Sequence, residues 1–461
     1  MSFDLKELNQ IFPGDRCKTD PESLSYYGKD WTTYFDIKAS AIVFPVNAEE
    51  VQKLVKWARA NKVALVPSGG RTGLSGAAVA TKGEVVVSFE KMNRILELDP
   101  IDSTVRVEPG VVVEQLQHFA VENGLYYPVD FAARGSAHVG GSIATNAGGI
   151  KVVRYGVTRD WVTSLKVVTG TGEILDLNQS LVKNNTGFDL RHLFIGSEGT
   201  LGFIVEATMK LAPKPPELRV LMLALPDLQA VMKVFSEFRK HCALTAFEMF
   251  SDKALVKVRE GTGLGQPLPS EAPYYVVVEA ESPNESAEAS VLTAFESCLE
   301  QGWVLDGAMA SSAEQAKTFW RYREDISEAL AKYSPYKNDI AVRISKVPEF
   351  LTNLEAILAK AYPTWEVIWF GHIGDGNLHV NILRPQGMTK EEFVRECRKV
   401  DEMVFQSIQK SQGSISAEHG VGLTKKPFLQ YTRAPGEIAL MRGIKQSFDP
   451  DGILNPGKVF D

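Results

Sequence analysis

The sequence predicts an α+β protein of two domains, and three observations carry that prediction. The chain has 461 residues, about three times a common domain. Leu211–Glu217 reads LAPKPPE, a run whose prolines cannot continue a helix or a sheet. On both sides of this break, apolar residues switch between the strand period of two and the helix period of 3.6.

In chain order, Ala41–Pro45 reads as a strand. Asn47 with Glu50 three residues on is a capping box that opens a helix to about Asn61. Ala64–Pro67 is a second strand, giving a β–α–β opening. Ser68–Gly76 (SGGRTGLSG) is a glycine loop, followed by strands at Glu84–Phe89, Ile95–Leu98 and Thr104–Glu108. A helix at Val113–Gly124 leads to a second glycine stretch, Gly140–Gly149 (GGSIATNAGG). Trp161–Thr208 is strand-rich and contains a third, Gly196–Gly202 (GSEGTLG).

Beyond the prolines come a strand (Arg219–Ala224), a helix (Asp227–His241) and a strand (Leu244–Phe250). A loop (Gly261–Pro273), a strand (Tyr274–Glu281) and a helix (Glu285–Gly302) follow. This alternation predicts helices on one face of an antiparallel sheet. A long helix is expected over Ala313–Lys332, a hairpin over Glu366–Leu383, and a helix over Lys390–Lys410 closed by Gly413. The tail Phe448–Lys458 is turn-rich. The domain division is 1–215, 216–425 and a C-terminal segment 426–461.

Composition narrows the function. Hydrophobic residues make up 44% and charged ones 23%, an ordinary globular balance. No apolar run approaches the roughly 20 residues of a membrane span. Met1–Glu7 has no apolar core, so no signal peptide is expected. Fifty basic against 57 acidic side chains give −7 without a basic block, which argues against nucleic acid. Cys17, Cys242, Cys298 and Cys397 are scattered, as plain thiols in a reducing cytoplasm would be. Of seven histidines, three fall between positions 372 and 419.

Ser68–Gly76 is not the dinucleotide fingerprint, because its glycines are misspaced and no helix follows. Glycines between strands can instead form a nest of backbone N–H groups for an anion, or simply meet a need for positive φ. Three such clusters in one domain favour a phosphate-bearing cofactor. In the hairpin, Asp375-Gly376 is a two-residue turn signal. That turn places His372 opposite His379, with Asn381 on the same face. Two imidazoles so placed suit one ion, or ordinary packing. Ser414–Gly422 (SISAEHGVG) adds Glu418 and His419. Two histidines and a carboxylate make a three-ligand catalytic zinc set, and the remaining histidine is left as an acid/base. On chemistry alone Glu418 and His419 could exchange roles, and iron or manganese could replace zinc. Arg323 and Ser327 stand four apart on the expected helix, and Lys337 follows in its exit loop. They suit a carboxylate, although a solvated helix face with Arg323 paired to an acidic neighbour is the plainer reading.

Val66–Ala77 (VPSGGRTGLSGA), Tyr126–Gly149 and Leu193–Met209 resemble the FAD domain of the vanillyl-alcohol oxidase superfamily. The resemblance implies FAD held at Pro67, Gly69, Gly70, Arg71, Thr72, Gly73, Ser75, Pro128, Gly141, Ser142, Thr145, Asn146 and Gly149. Arg71 stands where covalent members place a histidine, so the FAD is expected to be non-covalent. The implied fold is a two-part FAD domain, an α+β substrate domain with an antiparallel sheet, and a C-terminal segment returning to the flavin domain.

Gly371–His379 (GHIGDGNLH) and Ser416–Gly422 (SAEHGVG) are similar to the branch that oxidises D-2-hydroxy acids. Its D-2-hydroxyglutarate dehydrogenases imply zinc at His372, His379 and Glu418, and His419 as base. They also imply substrate contacts at Arg323, Ser327 (threonine in the family), Lys337 and Asn381. The implied reaction is D-2-hydroxyglutarate to 2-oxoglutarate, in a cytoplasmic enzyme that removes a by-product of serine synthesis. Electrons would pass to electron-transfer flavoprotein or a quinone, and a homodimer is expected. D-lactate, D-malate or glycolate are alternative substrates, and a zinc hydrolase without flavin is the alternative class.

Overall fold

The computed structural model describes residues 3, 5–32 and 34–461. Met1, Ser2 and Asp4, part of the stretch read above for a leader, and Thr33 lie outside the described residues. Contacts divide the chain into two units. The first comprises Met1–Gly148, Gly156–Lys214 and Glu418–Asp461; the second comprises Gly149–Tyr155 and Pro215–Ala417.

The first unit holds β1 (Cys17–Lys18), β2 (Ala41–Val43), β3 (Leu65–Ser68), β4 (Val85–Ser88), β5 (Ile95–Asp99) and β6 (Thr104–Val107). It continues with β7 (Leu125–Tyr126), β8 (Val162–Thr169), β9 (Ile174–Leu177), β10 (Gly202–Lys210) and β11 (Ala212–Pro213). A four-stranded sheet runs in the order β1-β2-β4-β3, parallel except for β1. The expected β–α–β unit is there, but β4 lies between its two strands. Asn47 caps the helix Ala48–Asn61 by accepting the Glu50 N–H at 2.9 Å. Glu50 turns to the Val46 N–H and Arg16, so only half of the capping box forms.

Parallel strands are buried on both faces, and the pattern shows it. Ala41, Val43, Leu65, Val85 and Val87 share a core with Val51, Leu54 and Val55 of that helix. Ile42, Val66 and Val86 point the other way, to Phe44 and Ala80. A five-stranded antiparallel sheet, β5-β6-β10-β8-β9, sends Val168, Phe203 and Val205 into the first core. The C-terminal tail returns beside β3: Leu65 N–H donates to the Ile453 carbonyl at 2.8 Å, and Asn455 N–H to the Leu65 carbonyl at 2.7 Å.

The second unit is built on β12 (Leu218–Leu225), β13 (Leu244–Ser251), β14 (Tyr274–Glu281), β15 (Asp306–Met309), β16 (Tyr336–Ala341), β17 (Val367–Gly371) and β18 (Asn377–Ile382). They form one antiparallel sheet in the order β15-β12-β14-β13-β17-β18-β16. Its helices cover both faces, not the one expected. On one face Phe250, Tyr275, Val277 and Phe370 meet Leu255, Phe319, Tyr322 and Ile326 of helices Asp252–Thr262, Ala313–Glu324 and Ile326–Ala331. On the other, Phe247 packs edge-on to Phe235 of helix Leu228–His241, centroids 5.0 Å apart.

Two local expectations are corrected, and Asp252–Thr262, mostly a stretch to which no element was assigned, is a helix capped by Ser251. The long helix ends at Glu324 and resumes at Ile326. Lys337 lies in β16, an edge strand, not in a loop. Among the described residues no helix is long and apolar enough to cross a membrane.

Candidate functional site: a flavin cleft and a polar sheet face

The first unit contains a mainly apolar cleft. Its walls come from all three glycine clusters: Pro67 to Gly69, Ala77 and Ala78; Gly140, Gly141, Ala144 and Thr145; and Ser197 to Gly199 with Gly202 to Ile204. Two positions show why glycine is required. A Cβ on Gly70 would stand 1.9 Å from the Ser136 carbonyl oxygen, so the loop closes only on glycine. A Cβ on Gly141 would meet nothing within 4 Å and would project into the cleft. Ser68 Oγ and His138 Nδ1 are buried without a hydrogen-bond partner. Burial, with Arg71 nearby, depresses the His138 pKa to about 4, so the ring is neutral. Unpartnered polar atoms beside an apolar cleft with glycine walls fit a flavin nucleotide.

Of the expected cofactor positions, Pro67, Gly69, Gly141 and Thr145 line this cleft. Others shape its loops. Arg71 has φ +60° and lies over the Tyr26 and Tyr27 rings at 4.4 and 4.8 Å, a cation–π clamp. Gly73 accepts the Trp31 N–H through its carbonyl. Ser75 does the same for Leu423 and Thr424, and its own hydroxyl is buried without a partner. Ser142 donates to the His138 carbonyl at 3.1 Å. Asn146 ends the helix Val139–Thr145 in the left-handed region and accepts the Arg159 N–H. Pro128 is buried, Thr72 is half-buried, and Gly149 belongs to the second unit.

Glu198 was not singled out, although it is the lone charge in GSEGTLG. It lines the cleft and is buried, and its carboxylate accepts the N–H groups of Val421 at 2.7 Å and Gly422 at 2.8 Å. It thereby anchors the turn that carries Glu418 and His419, both half-buried. Burial raises its pKa from 4.5 to about 7, against the lowering effect of those two N–H groups. The folded state therefore holds this proton more tightly than the unfolded chain. The stabilisation is complete below pH 4.5 and is lost as pH rises through 7. Glu198→Gln should remove this dependence. Relative to wild type, the variant should gain on the order of 1–3 kcal/mol between pH 5 and pH 8 in denaturant unfolding; parallel curves would refute the assignment.

The second unit gathers polar groups on the sheet face that β16, β17 and β18 share. His379 pairs with Phe370 on one side and Asp339 on the other. His372 is not opposite His379, as the two-residue turn would have it. The loop has four residues, Ile373–Gly376, closed by the Asn377 N–H donating to the His372 carbonyl. A shift of two residues preserves the face, so both imidazoles still meet, with ring centroids 5.3 Å apart. Lys337 pairs with Asn381 one step further along the same face.

Buried carboxylates that sequence reasoning missed support this face. Glu248 Oε1 lies 2.8 Å from His372 Nδ1. A proton held there leaves the His372 Nε2 lone pair as the metal-binding one. Asp339 accepts from Asn377 Nδ2 at 2.8 Å, and its Oδ1 lies 3.8 Å from His379 Nδ1. The signal for Glu248 was a single carboxylate within LTAFEMFS, a strand buried throughout. Arg323 is 6% exposed and ion-paired to Glu248 at 2.8 Å. The acidic partner matches the plainer reading but the burial does not, and Arg323 Nε and Nη2 have no aligned hydrogen-bond acceptor. Ser327 is exposed beyond the helix break, so the two do not share one helical face. Lys337 is open to solvent at its edge, yet surrounding protein lowers its pKa by desolvation; that exposure keeps the effect modest. Asn381 is buried, and its Nδ2 has no partner. Two imidazoles, a buried guanidinium, an ammonium and an unpartnered amide can bind an ion and carboxylates.

Comparison with known proteins finds two family matches. Residues 39–178 match a family described as FAD binding domain, and residues 214–459 match FAD linked oxidases, C-terminal domain. The chain is 55% identical to D-2-hydroxyglutarate dehydrogenase of Stutzerimonas stutzeri over 99% of its length and 98% of that protein. It is 54% identical to the enzyme of that name from Xanthomonas citri, over 98% and 96%. The solved 4-ethylphenol oxidase from Gulosibacter chungangensis has the same fold, with TM-score 0.79 at 16% identity over 99% of this chain and 96% of that one. The chain therefore belongs to the FAD-linked oxidases of the vanillyl-alcohol oxidase superfamily and is an FAD-dependent oxidoreductase.

Proposed function

We propose that the protein oxidises D-2-hydroxyglutarate to 2-oxoglutarate and passes the electrons to a carrier such as electron-transfer flavoprotein. The observation that carries this reading is the sheet face on which Lys337–Asn381 and Asp339–His379 stand as successive cross-strand pairs. It offers a cation and an unpartnered amide next to the imidazoles, as a substrate with two carboxylates requires. Two relatives above half identity, matched over nearly their whole length, bear the corresponding name.

When bound, FAD supplies the acceptor for the α-hydrogen. His372, His379 and Glu418 would hold a metal, which would supply Lewis acidity toward the α-hydroxyl; zinc suits this donor set, and manganese or iron also would. Glu248 holds His372 in the tautomer such a role needs. His419 removes the α-hydroxyl proton. Arg323, Lys337 and Asn381 hold the substrate's carboxylates, and Lys337 selects for the distal one. The FAD-binding match favours this over a metal hydrolase without flavin.

The test is anaerobic flavin reduction by a panel of D- and L-2-hydroxy acids, with and without a chelator. D-2-hydroxyglutarate should bleach the flavin fastest, and chelation should abolish bleaching until Zn²⁺ is restored. A flavin untouched by this acid would sink the reading. Lys337→Ala should raise KM for D-2-hydroxyglutarate about 10- to 100-fold, the worth of one charge-assisted hydrogen bond. KM for D-lactate should change by less than about threefold, since it lacks the second carboxylate. Equal losses would deny Lys337 its selecting role.

A further inference from the structure

Glu248 is a carboxylate in the middle of a fully buried strand, itself 1% exposed. A charge placed there is costly unless it is paired and hydrogen-bonded. Groups from two other elements approach its oxygens, one by a hydrogen bond and the other as a close ion pair without an aligned hydrogen bond. Oε1 lies 2.8 Å from Nδ1 of His372, just beyond β17. Oε2 lies 2.8 Å from Nη2 of Arg323, on helix Ala313–Glu324. The guanidinium also lies over the Phe370 ring at 4.9 Å, which fixes its plane. The contact with Glu248 is a close ion pair in which Nη2 does not aim its N–H at the carboxylate, and Nε has no acceptor either. A buried guanidinium with unspent donors is poised for an anionic ligand.

We infer that Glu248 is a positioning residue that couples metal binding to substrate-carboxylate binding. Through Oε1 it holds the Nδ1 proton of His372 and keeps the Nε2 lone pair for the ion. Through Oε2 it holds Arg323 in place without using up the donors that a substrate carboxylate would take. One side chain thus sets the orientation of an ion ligand and of an anion receptor. The inference rests on the proposed roles of His372 and Arg323.

Glu248→Gln removes the charge at nearly constant shape. Its amide can still accept from His372 only by turning an NH₂ toward Arg323. The purified flavoprotein, stripped of metal, is titrated with Zn²⁺ against a chromophoric chelator, and flavin reduction by D-2-hydroxyglutarate is then measured. Glu248→Gln should weaken Zn²⁺ about 10- to 100-fold, as loss of such an outer partner does. At saturating Zn²⁺ its limiting rate of reduction should return to within about threefold of wild type, while KM stays about tenfold raised. Arg323→Gln should raise KM and leave Zn²⁺ affinity unchanged. Glu248→Asp keeps the charge but cannot span both partners, so it should lose at least one of the two affinities; it carries the test if the glutamine variant fails to fold. Wild-type values of both quantities in either Glu248 variant would overturn the coupling. A wild-type protein that takes up no Zn²⁺ would instead remove the metal reading, and the inference with it.

Discussion

Replacing His419 by alanine should leave FAD bound and slow its anaerobic reduction by D-2-hydroxyglutarate about 10³-fold, the usual worth of a general base. The turn should survive the change, because its anchor is elsewhere. Glu198 grips the N–H groups of Val421 and Gly422, not the imidazole. Flavin content and the visible spectrum should match wild type, so that the deficit lies in the reductive step alone. Stopped-flow bleaching measures it directly. A variant that bleaches at the wild-type rate would remove His419 from the role of base, leaving Glu418 as the neighbour to examine.

Gly141→Leu should yield a folded protein without bound flavin. The added Cβ meets no atom within 4 Å, so the helix Val139–Thr145 accepts it, but the branched side chain then occupies the cleft. Gly141→Ala, with only a methyl group there, should retain FAD more weakly. Gly70→Ala should behave differently, because its Cβ would collide with the Ser136 carbonyl and break the loop itself. Flavin per polypeptide, read beside a thermal melt, separates the cases. A yellow Gly141→Leu protein with a normal melt would place the cofactor elsewhere.

The flavin cleft was legible because its requirements are local. Glycine at a close approach, as at Gly70, leaves a mark in the sequence itself. The histidine face was legible for a different reason: its register was misread by two residues, and a shift of two cannot turn a side chain to the other face. Had Ile373–Gly376 been three residues or five, the reading would have failed. What escaped depends on long-range pairing. Nothing near position 248 announces that β13 will lie beside β17 and bring a carboxylate to His372. Nor does any glycine or proline mark the break after Glu324, which takes Ser327 off the face of Arg323. Glu198 was within reach, since an acid among glycines and apolar residues is rarely idle.

The seven residues Gly149–Tyr155 come from the middle of the flavin-binding half of the sequence yet belong to the second unit. There Lys151 meets buried Glu279, which also accepts from Thr245 and Trp320. Arg154 grips Glu281 with two nitrogens, at 2.9 and 3.0 Å. The second unit is therefore not a cassette. A gene fragment encoding 215–417 would translate Glu279 without its lysine and leave a buried carboxylate with no cation, held only by the Thr245 hydroxyl and the Trp320 N–H. Cutting at the prolines severs a peptide and also takes from Glu279 its cation.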